Sequence, residues 1–228
     1  MKLERRLFIG GVEYPIIKSD ATLQLSSIGR AVFIVRSKQK PTGIVSFQAG
    51  YTTGTWFHYF LGIIKNAERR DKGSWIVDCK ELSEALLLPC TISLRDCSVV
   101  DVAADMQRKI GISFDLPSAD YTRNRIPRFA NTTDALSAIQ NIGRAFNIQQ
   151  FIWQLMPDGQ VWLGDHSDSK HAKQGSINIP ENLFTKQKSS GLATLPALPA
   201  LRAGMIVNNK TLDRVRLIEM ETHIQWSS

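Results

Sequence analysis

Two imidazoles and two carboxylates fall within seven residues, Asp165-His166-Ser167-Asp168 with His171, the chain's densest set of groups able to ligate a metal or move a proton. Such chemistry needs ligands held by a rigid second layer of partners. This stretch is rich in Ser and Lys, and it reads as a polar loop. His58, between Phe57 and Tyr59, and His223, among the last residues, read as packing or surface side chains. There is no G-x-S-x-G elbow, H-E-x-x-H pair, Walker loop or dinucleotide fingerprint, and Gly10-Gly11 is only a turn. A cell-wall glycosidase would need two carboxylates facing each other in space, and no such pair can be placed. Cys79, Cys90 and Cys97 are odd in number and lack C-x-x-C spacing, which fits buried, reduced thiols better than a disulfide framework or a zinc site. No catalytic residue, cofactor or metal is expected.

The remaining chemistry is that of surfaces. Arg69-Arg70-Asp71-Lys72-Gly73 is the densest basic run and reads as a solvated hairpin tip, while Arg123, Arg125 and Arg128 lie near Tyr121 and Phe129 in a polar loop. With Trp226 these arginines are the candidate interface residues. Trp56, Trp75, Trp153, Trp162 and Trp226 all sit in β-type runs, where Trp fills core or interface space more readily than it forms a sugar platform. The net charge of +7 is uneven: residues 1–85 hold 13 basic against 8 acidic, residues 86–165 hold 7 against 8, and residues 166–228 hold 8 against 5. Basic ends and a pI near 9.5 keep a nucleic-acid-binding β-barrel open as an alternative.

The elements that must carry these groups change character along the chain. Residues 1–85 read as a β-barrel-like domain, with short apolar runs at Leu7–Ile9, Ala31–Val35, Ile44–Phe47, Trp56–Ile64 and Ser74–Val77 broken by Gly and Pro. Phe60–Ala67 and Ser74–Lys80, joined by the charged tip, form its clearest hairpin. Residues 86–165 read as a small α/β domain of two β-α-β units. Ser98 and Asp101 open a helix whose face is Val102, Ala103, Met106 and Ile110, and Gly111 closes it. Thr132 or Thr133, with Asp134 in the first turn, opens a second helix with Leu136, Ile139, Ile142 and Phe146 on one face. Pro157-Asp158-Gly159 then turns Phe151–Leu155 into Gln160–Gly164.

Residues 166–228 read as a polar loop, a stiff Pro/Ala connector over Leu195–Leu201, and a short C-terminal β module. Asn208-Asn209 stands at hairpin spacing between Met205–Val207 and Leu212–Ile218. The whole is an α+β chain. No run of about 18 apolar residues exists, so no membrane helix is expected, and the Met-Lys-Leu-Glu-Arg-Arg start lacks the apolar core of a secretion signal.

The run Leu201-Arg202-Ala203-Gly204-Met205 followed by Leu212-Asp213-Arg214-Val215 resembles the C-terminal region of tailed-phage baseplate hub proteins of the Mu-like type. Gly111-Ile112-Ser113-Phe114 and Pro157-Asp158-Gly159-Gln160-Val161-Trp162-Leu163-Gly164 resemble the central region of the same family, in the same order. Those proteins usually carry Pro where this chain has Ala203. The resemblance implies a non-enzymatic structural protein of the virion, assembled in the host cytoplasm. It also implies a homotrimeric ring between the tail tube protein and the tail-tip or spike and other baseplate proteins, with DNA passing through its channel without sequence-specific binding.

Overall fold

A computed structural model describes residues 2–52, 54–188 and 191–227. The chain divides into two units, Met1–Leu82 with Ser176–Ser228, and Ser83–Gly175. The first seven strands are β1 (Leu3–Ile9), β2 (Val12–Tyr14), β3 (Ile16–Gln24), β4 (Arg30–Arg36), β5 (Ile44–Tyr51), β6 (Trp56–Asp71) and β7 (Ser74–Glu81). Their cause is alternation. In β4, Ala31, Phe33 and Val35 are buried while Arg30, Val32 and Arg36 face solvent. The β6–β7 hairpin turns after Asp71, whose carboxylate accepts the Gly73 amide at 2.8 Å and the Ser74 hydroxyl at 2.6 Å.

The next unit contains β8 (Ile92–Cys97), α1 (Val99–Ile110), β9 (Phe114–Asp115), β10 (Ile126–Asn131), α2 (Ala135–Ala145), β11 (Phe151–Leu155), β12 (Val161–Asp165) and the short α3 (Lys170–Lys173). The chain then returns to the first unit through β13 (Ser176–Ile177), β14 (Lys186–Lys188), β15 (Leu192–Pro196), β16 (Ile206–Val207), β17 (Lys210–Ile218) and β18 (Glu221–Trp226).

In the first unit the strands run in the order β14-β15-β18-β17-β3-β4-β7-β6-β5-β1-β2, each pair antiparallel, with β16 also on β17 and β13 parallel to β16. This corrects the expected N-terminal barrel. Closure of the first seven strands would require β3 to pair back onto β1 or β2. Its free edge is instead taken by β17, with Val215 opposite Leu23, and no sheet among the described residues closes.

The first unit holds two apolar clusters. One contains Leu7, Phe33, Phe47, Tyr59, Phe60 and Val77, with the Phe33 and Phe47 rings 5.1 Å apart. The other contains Leu195, Leu201, Val207, Leu212, Val215 and Ile224. Burying each such side chain contributes about 1.5 to 3 kcal/mol. The Pro/Ala segment expected as a stiff connector makes packing and hydrogen-bond contacts of its own in this unit. Leu195 and Ala197 are buried, the Tyr51 hydroxyl donates to the Ala197 carbonyl at 2.5 Å, and the Leu198 amide donates to Thr222 at 2.8 Å. The Asn208-Asn209 turn does form, with φ of 49° and 62° and Val207 opposite Lys210.

In the second unit Ser98 caps α1 in a reciprocal box with Asp101, and Gly111 ends it at φ 73°. Asp134, not Thr132 or Thr133, is the cap of α2, accepting the Ser137 amide at 2.7 Å. Both strand-helix-strand segments exist in order, but they are not β-α-β units sharing one sheet. β8 pairs antiparallel with β10, whereas β9 runs parallel to β12, which pairs antiparallel with β11. Each helix thus links two different sheets.

Candidate functional site

The most connected polar site of the first unit is built around Arg202, from the Leu201-Arg202-Ala203-Gly204-Met205 run. Pairing of β5 with β6 slips between Phe47 and Gln48, which are opposite Phe60 and His58, so Tyr59 is an extra residue in its strand. In a regular strand consecutive carbonyls point to opposite sides. Here Arg202 Nη1 donates to both the His58 and the Tyr59 carbonyls, each at 3.1 Å. One guanidinium therefore fastens the C-terminal segment to the bulge.

Glu81 stands near this cation and is almost fully buried. Its carboxylate accepts the Gly29 amide at 2.7 Å, and its own amide donates to the Gly29 carbonyl at 3.0 Å. A Cβ on residue 29 would lie 2.4 Å from the Glu81 carboxyl carbon, so this close approach requires glycine. Burial pushes Glu81 up to about 7, against the opposing pull of the Arg202 charge and the Gly29 hydrogen bond. Burial likewise raises the Tyr59 phenol, and it lowers the Arg202 guanidinium against the pull of Glu81 and then Tyr59. Such a set holds backbone in place and offers no exposed nucleophile or proton carrier.

The expected interface arginines fall into separate places. Arg69 and Arg70 lie at the exposed end of the β6–β7 hairpin, where Arg69 folds back to donate to the Asp71 carbonyl at 3.2 Å. In the second unit Arg123 follows a short helical turn and is exposed. Arg125 is pinned to Asp96 at 3.0 Å and Asp101 at 3.4 Å. Arg128 on β10 lies directly opposite Arg95 on β8, both exposed. Trp226 is half-buried: its indole donates to the Val207 carbonyl at 3.1 Å and its ring lies 6.1 Å from Phe184.

Residues 165–171 are more ordered than a polar loop. Asp165 caps one helical turn through the Ser167 amide at 3.0 Å and also accepts the Gln150 amide at 3.1 Å, and Ser169 caps α3. Asp168 accepts the Tyr121 hydroxyl at 2.9 Å. Burial pushes that phenol up to about 12, with Asp168 adding to the rise. These carboxylates are committed to backbone and Tyr121, and no group of three metal-ligating side chains occurs among the described residues. His58 lies 3.4 Å from Gln48, and His223 pairs with Glu221 at 3.0 Å. All three cysteines are buried and free, and burial pushes the Cys79 thiol up to about 12, with Asp78 adding to it. Trp153 and Trp162 are core residues, and Arg6 stacks 4.7 Å above the Trp56 ring. No helix among the described residues is long and apolar enough to cross a membrane.

Glu81 escaped the sequence reading, and Arg202 stood in it only as part of the Leu201–Met205 run, with no role of its own. Parity along β7 was the available signal, because Val77, Cys79 and Glu81 all point to the buried side.

The fold is similar to that of phage tail proteins and of a type VI secretion-system component. The 43 kDa tail protein of prophage MuSo2 from Shewanella oneidensis has a TM-score of 0.73 at 8% identity, covering 99% of this chain and 97% of that one. The E. coli c3393 protein, a type VI secretion component similar in structure to the T4 bacteriophage tail proteins gp27 and gp5, gives a TM-score of 0.67 at 12% identity, covering 96% and 76%. In sequence, the chain is 28% identical over 220 residues to an uncharacterised 58.7 kDa protein in the lys 3′ region of Haemophilus phage HP1 (strain HP1c1). It spans 95% of this chain but 40% of that relative. No family model matches the chain.

Proposed function

We propose that this chain is a structural component of a phage tail baseplate, a hub subunit acting without catalysis. In this reading it forms a homotrimeric ring that joins the tail tube protein to the tail-tip or spike and other baseplate proteins. The ring surrounds the channel through which DNA passes without sequence-specific contact, and the protein is assembled in the host cytoplasm and carried in the virion. The observation that supports the reading is the likeness of nearly the whole chain to nearly the whole MuSo2 tail protein, across both units. The open sheet is consistent with it. β2 and β14 are two chemically different edges, and a closed ring of identical subunits needs each copy to offer two different surfaces. Arg69, Arg70, Arg123, Arg125, Arg128 and Trp226 are its proposed interface residues.

Imaging of intact tails, or of this chain co-purified with its tail partners, tests the proposal. A three-fold ring at the tube–baseplate junction is the expected outcome. A single copy per particle, or absence from particles combined with DNA binding in cells, would overturn it in favour of a nucleic-acid-binding protein. Turnover of peptidoglycan, ester or peptide substrates would overturn the non-enzymatic part.

A further inference from the structure

One face of the first unit's sheet carries more positive charge than its own carboxylates neutralise. Side chains on four neighbouring strands line up in register: Arg216 opposite Thr22, Thr22 opposite Arg30, and Arg30 opposite Lys80. Arg214 sits two residues along β17, opposite Gln24. Arg216 is committed to Asp20, through Nε to Oδ1 at 2.7 Å and through Nη2 to Oδ2. Arg214 instead donates to the neutral Gln24 Oε1, from Nε at 3.2 Å and Nη2 at 2.9 Å, which leaves its charge uncompensated. Arg30 and Lys80 form no ion pair among the described residues.

Arg214, Arg30 and Lys80, with Thr22, Ser27 and Gly29, line a hollow of about 240 Å³ that no carboxylate borders among the described residues. Glu81, behind it, turns its Oε2 to the Gly29 amide. Arg30 also borders a second hollow of about 320 Å³, where Asp20 and Asp78 face Arg30 and Arg216 and the signs balance. With Arg30 counted there, the uncompensated charge bordering the first hollow is that of Arg214 and Lys80. The loop that forms its wall is fixed at both ends, by the Leu25 amide on the Asp213 carbonyl at 2.8 Å and by Gly29 on Glu81. The Arg30 guanidinium, an ammonium, two hydroxyls and the part of Arg214 that Gln24 does not engage surround a fixed loop, a set that matches a tetrahedral oxyanion.

We infer that this hollow is a phosphate-binding site, taking either free phosphate or a phosphodiester of a nucleic-acid strand. It stands on the local geometry and is independent of the hub reading. Clustered cations in a depression concentrate anions, and planar arginines contribute direction as well as charge.

Titration calorimetry of the full chain with inorganic phosphate, at near-neutral pH and physiological salt, tests it. Saturable binding is expected, weakened about tenfold or more by Arg30→Gln combined with Lys80→Gln. Arg36→Gln combined with Lys38→Gln removes the same charge from exposed positions outside the hollow and is expected to leave binding unchanged. Thermal melts of both variants verify that each is folded. A short oligothymidylate then separates the sources: displacement by inorganic phosphate assigns the site to phosphodiesters, and failure of the oligomer to compete assigns it to free phosphate. Absence of saturable phosphate binding, or equal losses in the two double variants, would overturn the inference.

Discussion

Arg202 holds the carbonyl of Tyr59, 143 residues earlier in the chain, at 3.1 Å. The same nitrogen holds the neighbouring His58 carbonyl, which only a bulge brings to one side of the strand. A long-range contact of this kind fixes where the returning chain lands on the first strands.

Arg202→Ala is expected to destabilise the first unit by about 3 kcal/mol, because it strands two carbonyls and leaves Glu81 without its cation. Arg202→Lys should recover part of this, since an ammonium supplies charge and donors but from a shorter side chain. Urea unfolding is the measurement. A midpoint unchanged by Arg202→Ala would show that water satisfies the bulge equally well.

Glu81 makes stability depend on pH in an unusual direction for a carboxyl. Its folded value near 7 exceeds the ordinary 4.5, so the folded state holds a proton that the unfolded state has released. Its contribution is fully present below the ordinary value and is lost as pH rises through the folded value. Glu81→Gln removes this titration. The variant should therefore gain on the parent protein by something on the order of 3 kcal/mol between mildly acidic and mildly alkaline solution. A parent-minus-variant difference that stays flat with pH would show Glu81 to be charged throughout.

Ser98→Ala removes one half of a reciprocal cap on α1 and is expected to cost about 1 kcal/mol. Amide exchange of residues 99–102 reports it locally. Faster exchange there, with little change in α2, is the expected pattern.

Arg95 and Arg128 face each other across a two-stranded sheet, an arrangement that like charges disfavour. Arg128→Glu should raise the isolated protein's stability by roughly 0.2 to 1 kcal/mol. If this face meets an acidic tail partner, the same change should weaken incorporation into tails. Neutral stability together with unchanged incorporation would assign the pair no role.

What could be read from sequence tracks how local its cause is. Ser98, Asp101 and Gly111 signal their helix because capping is decided within one turn, and Asn208-Asn209 signal their hairpin because positive φ is a property of the turn itself. The barrel expectation failed for the opposite reason. Alternation in β1 to β7 shows that strands form, but it is silent on whether β3 meets β1 or the far-off β17. The β-α-β reading of the middle failed likewise, since a change of period shows a helix between strands without showing which sheet each joins. The Gly29–Glu81 and Tyr59–Arg202 contacts depend on residues 52 and 143 positions apart, beyond any local pattern.

Unit 1 is assembled from both ends of the chain, with Ser83–Gly175 between them, and this orders events on the ribosome. The second unit is continuous, so its strands and helices can pair as soon as Gly175 has emerged. β3 must wait with one edge bare until β17 has been translated, a separation of 190 residues between Gln24 and Arg214. Bare edges during synthesis invite wrong pairing. The middle unit is therefore expected to mature first, with the sheet completed later by the strand that carries Arg214 and Arg216.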